Sequence, residues 1–113
     1  MRISKLRRAI RDEQDLALPV IALAEFLYGI GQSRWRTAYE GWLDANASLF
    51  IILTVERETA RYYAEIRHEL KTAGTPIPTN DLWIAAFARE HHLPILSRDA
   101  HFRAVRNLHQ LTW

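Results

Sequence analysis

Apolar positions along the chain alternate between short continuous runs and stripes with helical spacing. Ile3, Leu6 and Ile10 share one face of a helix expected over 4–14, with Ser4 as its cap. Leu16-Ala17-Leu18 is a short strand candidate, and Pro19 suits the first turn of a helix over about Val20 to Ile30. Ser33 can cap the next helix, 34–46, where Trp35, Ala38, Tyr39, Trp42 and Leu43 form an amphipathic stripe. That stripe reads as core or as a dimer contact. Leu49 to Leu53 is an unbroken apolar run, the pattern of a strand covered on both faces. A long helix follows from about Val55 to Ala73, with Val55, Thr59, Tyr62, Ile66, Leu70 and Ala73 inward and Gly74 closing it. Thr75-Pro76-Ile77-Pro78 is a stiff connector. Beyond it come a helix apolar on nearly every side from Leu82 to Ala88, a strand from Leu93 to Ser97, a short helix after Asp99 and a last strand from Leu108 to Trp113.

Strands alternating with helices predict an α/β domain with a parallel sheet, opening on a helix where most small doubly wound domains open on a strand. At 113 residues the chain has room for a single core, so one domain is expected over 1–113. A 49% apolar fraction fits a folded rather than a disordered chain. The net charge of +2 permits nucleic-acid binding without arguing for it. Arg2, Lys5, Arg7, Arg8 and Arg11 crowd the first helix, either as a solvated basic face or as a contact for RNA phosphates or an acidic partner. The absence of cysteine removes thiol catalysis, disulfides and zinc knuckles, and suits the cytoplasm. No apolar run is long enough for a membrane span, and the basic N-terminus lacks the hydrophobic region of a signal peptide.

Three carboxylates carry the candidate chemistry. Glu25 is the only charged residue between Val20 and Ile30, ringed by Ala22, Leu23, Phe26, Leu27 and Ile30. In such company a carboxylate is expected to be paired, metal-bound or protonated, unless it faces solvent on a narrow polar strip or pairs with an arginine. Asp81 starts a helix, and Asp99 follows a strand and starts another. Each aspartate taken singly is a helix cap. Taken together, they stand at strand exits and helix starts, which share one edge of an open parallel sheet where ligands bind. The histidines form no His-x-x-x-His or Glu-x-x-His pair on that face, so no zinc centre is expected. Nucleotide hydrolysis lacks a glycine-rich phosphate loop, and a receiver domain lacks its paired acids and late lysine.

Three segments resemble the downstream motifs of PIN-domain proteins, most closely the VapC-type toxins of bacterial toxin–antitoxin pairs. They are Ala-Glu-Phe-Leu-Tyr-Gly-Ile over 24–30, Pro-Ile-Pro-Thr-Asn-Asp-Leu-Trp-Ile-Ala-Ala over 76–86, and Leu-Ser-Arg-Asp-Ala-His-Phe over 96–102. The resemblance implies a PIN-like parallel sheet with helices on both faces and an endoribonuclease dependent on Mg2+ or Mn2+. It further implies a cognate antitoxin as partner, and a homodimer. Carried over by position, Glu25, Asp81 and Asp99 are metal-site and catalytic carboxylates, with Asn80 and Ser97 as supporting hydrogen-bonding groups. Arg98 and Arg103 beside them are the expected RNA contacts. A hard divalent cation takes oxygen ligands and retains waters, which agrees with this set.

The sequence departs from the family pattern at its start. PIN proteins begin with a central strand ending in Asp-Thr-Asn or a variant, and no strand of that kind stands here. The expected domain is therefore N-terminally truncated, with three metal-site carboxylates instead of four. Removal of a middle strand leaves unpaired backbone. A rearranged sheet, a neighbouring subunit or an upstream strand is expected to close the gap. The alternative function is a catalytically impaired PIN domain that binds an antitoxin or dimerises without cutting.

Overall fold

The computed structural model describes residues 16–112, so the basic segment with its expected helix lies outside the described residues. Strand β1 spans Leu16–Pro19 and runs directly into α1, Val20–Gly31. Pro19 caps the helix in extended conformation (φ −60°, ψ 137°) instead of entering its first turn. Helix α2 covers Arg36–Ala45, later than expected, because Ser33 Oγ accepts a hydrogen bond from Trp35 N and holds a turn ahead of it. After a 3₁₀ turn over Ala47–Leu49 comes β2, Phe50–Leu53.

Helices α3, Arg57–Ala73, and α4, Thr79–His91, are the long packed pair of the molecule. Thr59 Oγ1 accepts from Glu56 N at 3.0 Å, satisfying a donor at the α3 start. The same hydroxyl donates to Glu90 Oε1 at 2.7 Å and so ties the α3 start to the α4 end. Gly74 stops α3 in the left-handed region (φ 73°), where Thr75 N bonds back to Leu70 O. Arg89 adds a polar clasp: its guanidinium donates to Glu65, to both oxygens of Glu69 and to Arg106 O. Strand β3 is only Ile95–Leu96, and β4 only Gln110–Leu111, with a 3₁₀ helix over Ala100–Ala104 between them.

Among the described residues all strand pairing is parallel, giving the expected α/β class with four helices and short parallel strands. The strands form two pairs. Leu16 to Pro19 pairs with Phe50 to Leu53, and Ile95-Leu96 with Gln110-Leu111. A cavity of about 520 Å³ is bordered by Leu18 and Leu53 from one pair and by Ile95 and Leu111 from the other. Among the described residues no strand pairs across it.

The core lies on the α3–α4 side. Ile66 and Leu70 meet Leu82, Ala85, Ala86 and Ala88, closed below by Ile95, Phe102 and Val105. Each large apolar side chain so buried contributes about 1.5–3 kcal/mol. The β1–β2 half is thinner: Ile51 and Ile52, expected under cover on both faces, are 55% and 45% exposed. At the cap of α2, Trp35 is 57% exposed, and no residue of that helix is fully buried.

Candidate functional site

The site forms where β1 and β3 end and where α4 begins. Pro78 delivers the chain into α4 with Thr79, Asn80 and Asp81 in the first turn. A carboxylate there is favoured by the positive end of the helix dipole. The apolar side chains behind it, Leu82, Ala85 and Ala86, are buried and fix the rotation of the helix. Asp81 is thereby aimed at the rim of the cavity.

Asp99 is positioned by the turn after β3. Its backbone N–H donates to Ser97 Oγ at 3.0 Å, and its own Oδ1 accepts from His101 N at 2.9 Å. Gln110 on β4 holds the same turn, donating through Nε2 to Ser97 O at 2.9 Å and Asp99 O at 2.8 Å. The hydroxyl of Ser97 thus accepts from the Asp99 backbone and helps shape its turn. Gln110 was not visible as a site residue, because its contribution depends on which strand pairs with β3.

Glu25, Asp81 and Asp99 all border the cavity, so the three sequence-predicted carboxylates share one edge of the molecule. Carboxylate oxygens of Asp81 and Asp99 lie within 4.8 Å of each other. Glu25 does not join that cluster. Of the two readings of Glu25, embedded among apolar groups or facing solvent, the structure has the second: it is exposed, and Leu27 beside it is 44% exposed. The physical reason is that α1 buries only Ile30 fully, leaving the remaining helix surface accessible. Asn80, Arg98 and Arg103 are exposed residues of the two segments that carry the aspartates.

One residue enters that the pattern of acids did not single out. His101 Nδ1 lies 2.7 Å from Asp81 Oδ2 and 2.9 Å from Asp99 Oδ1. The hydrogen bond to the Asp81 carboxylate, aided by the charge of Asp99, holds the imidazole pKa above its ordinary value. The signal that could have found it is the Asp99-x-His101 spacing at the start of the 3₁₀ helix, whose tight turn folds the histidine back over the aspartate.

The donor set fits a divalent cation. Carboxylate oxygens of Asp81 and Asp99 and a His101 nitrogen all lie within 4.8 Å of one another. Hard cations take such oxygens and complete their shells with water.

The sequence matches the PIN domain over residues 2–108. Ribonuclease VapC2 of Rickettsia felis is 30% identical over 99 residues, covering 87% of this chain and 74% of that protein. Among solved structures, VapBC2 from Rickettsia felis bound to a DNA fragment from its promoter matches with a TM-score of 0.79 at 28% identity. That match covers 98% of this chain and 83% of the other. VapBC-5 from Mycobacterium tuberculosis, of the VapBC family of toxin–antitoxin systems, matches with a TM-score of 0.74 at 29% identity, over 86% of this chain and 81% of that one. The chain belongs to the PIN-domain family, with VapC-type proteins as its relatives.

Proposed function

We propose that the chain is a metal-dependent endoribonuclease of the VapC toxin type, hydrolysing RNA phosphodiester bonds with Mg2+ or Mn2+. The observation that carries this reading is the convergence of Glu25, Asp81 and Asp99 on one cavity rim, two of them close enough to share a ligand. Asp81 and Asp99 would hold the cation, and Glu25 would face it from α1 across the rim. When bound, such a cation supplies Lewis acidity, acidifying water and offsetting negative charge on a phosphodiester. Ser97 and Gln110 hold the backbone of the Asp99 turn, and Asn80 precedes Asp81 in the first turn of α4. Arg98 and Arg103 flank Asp99 in sequence and would orient the RNA backbone.

The reading includes a cognate antitoxin, a homodimer and the cytoplasm as location. Its support is the VapBC relatives and the exposed apolar side chains of Tyr28, Trp35 and Ile51, which suit a partner surface. A second reading, a PIN domain that binds partners without cutting, is favoured by the exposure of Glu25 and its separation from the two aspartates.

RNA cleavage with Mg2+ or Mn2+, by the chain and by Asp81→Asn, distinguishes the two. The nuclease reading expects cation-dependent cleavage that falls by at least roughly 100-fold in Asp81→Asn. Cleavage that Asp81→Asn leaves unchanged comes from another site, and no cleavage with either cation leaves the binding role.

A further inference from the structure

The geometry points to His101 as a third protein ligand of the cation, giving this centre a nitrogen donor beside the carboxylates of Asp81 and Asp99. This rests on the nuclease reading of the site and specifies which cations it prefers.

Nδ1 already stands from a carboxylate oxygen of each aspartate at the separation that a six-coordinate ion imposes on adjacent ligands. With metal–ligand bonds of about 2.1 Å, neighbouring corners of an octahedron are roughly 3.0 Å apart. The Nδ1 separations of 2.7 Å and 2.9 Å from the two aspartates are close to that spacing. The ring points at both carboxylates with the same nitrogen, so an ion seated between them takes the place of the Nδ1 proton, which is released to solvent, and meets the bared nitrogen without rearrangement of the chain.

The backbone holds the ring there independently of any ion. His101 N donates to Asp99 Oδ1, and Phe102 next to it is 4% exposed and anchored in the core. The imidazole itself is half-exposed, leaving room for water on the outer side of the shell.

The consequence is selectivity. Magnesium favours oxygen and gains little from imidazole, whereas affinity for nitrogen-containing sites rises from Mn2+ to Co2+ and Ni2+. This chain should therefore bind Co2+ more tightly than Mn2+, and Mn2+ more tightly than Mg2+. His101→Ala should compress that series, lowering Co2+ affinity by about 10-fold or more while changing Mg2+ affinity little.

The test is electron spin-echo spectroscopy on the Mn2+-loaded full chain, with calorimetric titration of Co2+ and Mg2+ into the chain, His101→Ala and Asp81→Asn. Nitrogen modulation that disappears in both variants supports the inference. Mn2+ binding that depends on Asp81 but shows no nitrogen modulation, or keeps it in His101→Ala, overturns the inference and leaves the nuclease reading standing. An absence of Asp81-dependent binding overturns both. Should His101→Ala fail to fold, the wild-type spectrum still decides, since a site made of oxygen alone gives no histidine modulation.

Discussion

At the residue scale, the candidate site depends on side chains with supporting roles as much as on the acids. Asp81 is set by a helix start and Asp99 by a turn, and both positions were legible because aspartate in those places has a physical reason to be there. Glu25 was legible as a position on the rim but not in its environment. Its apolar neighbours left burial and a solvent-facing strip both open, and an α1 that buries only Ile30 leaves it exposed. Gln110 and His101 were hidden for different reasons: one acts through strand register, the other through a 3₁₀ turn. Gln110→Ala removes two hydrogen bonds to the carbonyls of the Asp99 turn. It should lower stability by about 1–2 kcal/mol and cation affinity by roughly 10-fold, measured by thermal melting and calorimetry. Unchanged cation affinity would mean that the turn holds Asp99 without Gln110.

At the element scale, the stability of the fold is concentrated in α3 and α4. Helix α3 was legible from its stripe of Thr59, Ile66 and Leu70 and from the glycine after it, although Val55 at its approach is 42% exposed instead of inward. Ile66 is fully buried in the core, so Ile66→Ala should cost about 2–5 kcal/mol in chemical denaturation, the range for a truncation that leaves a cavity. Gly74 sits at φ 73° with open space where a Cβ would be added. Gly74→Ala therefore tests backbone conformation alone and should cost about 1 kcal/mol. A neutral result would show that the α3 terminus relaxes out of the left-handed region. Strands β3 and β4 are shorter than the apolar runs that announced them, because Pro94 precedes the one and a loop with Asn107 at φ 60° precedes the other.

At the scale of the whole molecule, the parallel α/β class was legible from alternation, whereas the division into two strand pairs was not. Pairing partners are non-local, and no local pattern shows that β1 and β3 each pair on one side among the described residues. The cavity between the pairs is bordered mainly by apolar side chains, and the β1–β2 pair contributes no fully buried side chain among those whose exposure is described. Stability should therefore be uneven. Amide hydrogen exchange is expected to be slowest in α3 and α4, around Ile66 and Phe87, and markedly faster in β1 and β2. Equal protection in both halves would show that something covers the β1–β2 side and fills the space between the pairs.

On the proposed function, Asp81 and Asp99 hold one divalent cation at the cavity rim, with Glu25 facing it. Anomalous scattering from crystals of the chain grown with Mn2+ tests this most directly. The predicted result is a single strong peak within bonding distance of both aspartates, lost in Asp81→Asn. A peak elsewhere, or none at saturating Mn2+, would contradict it.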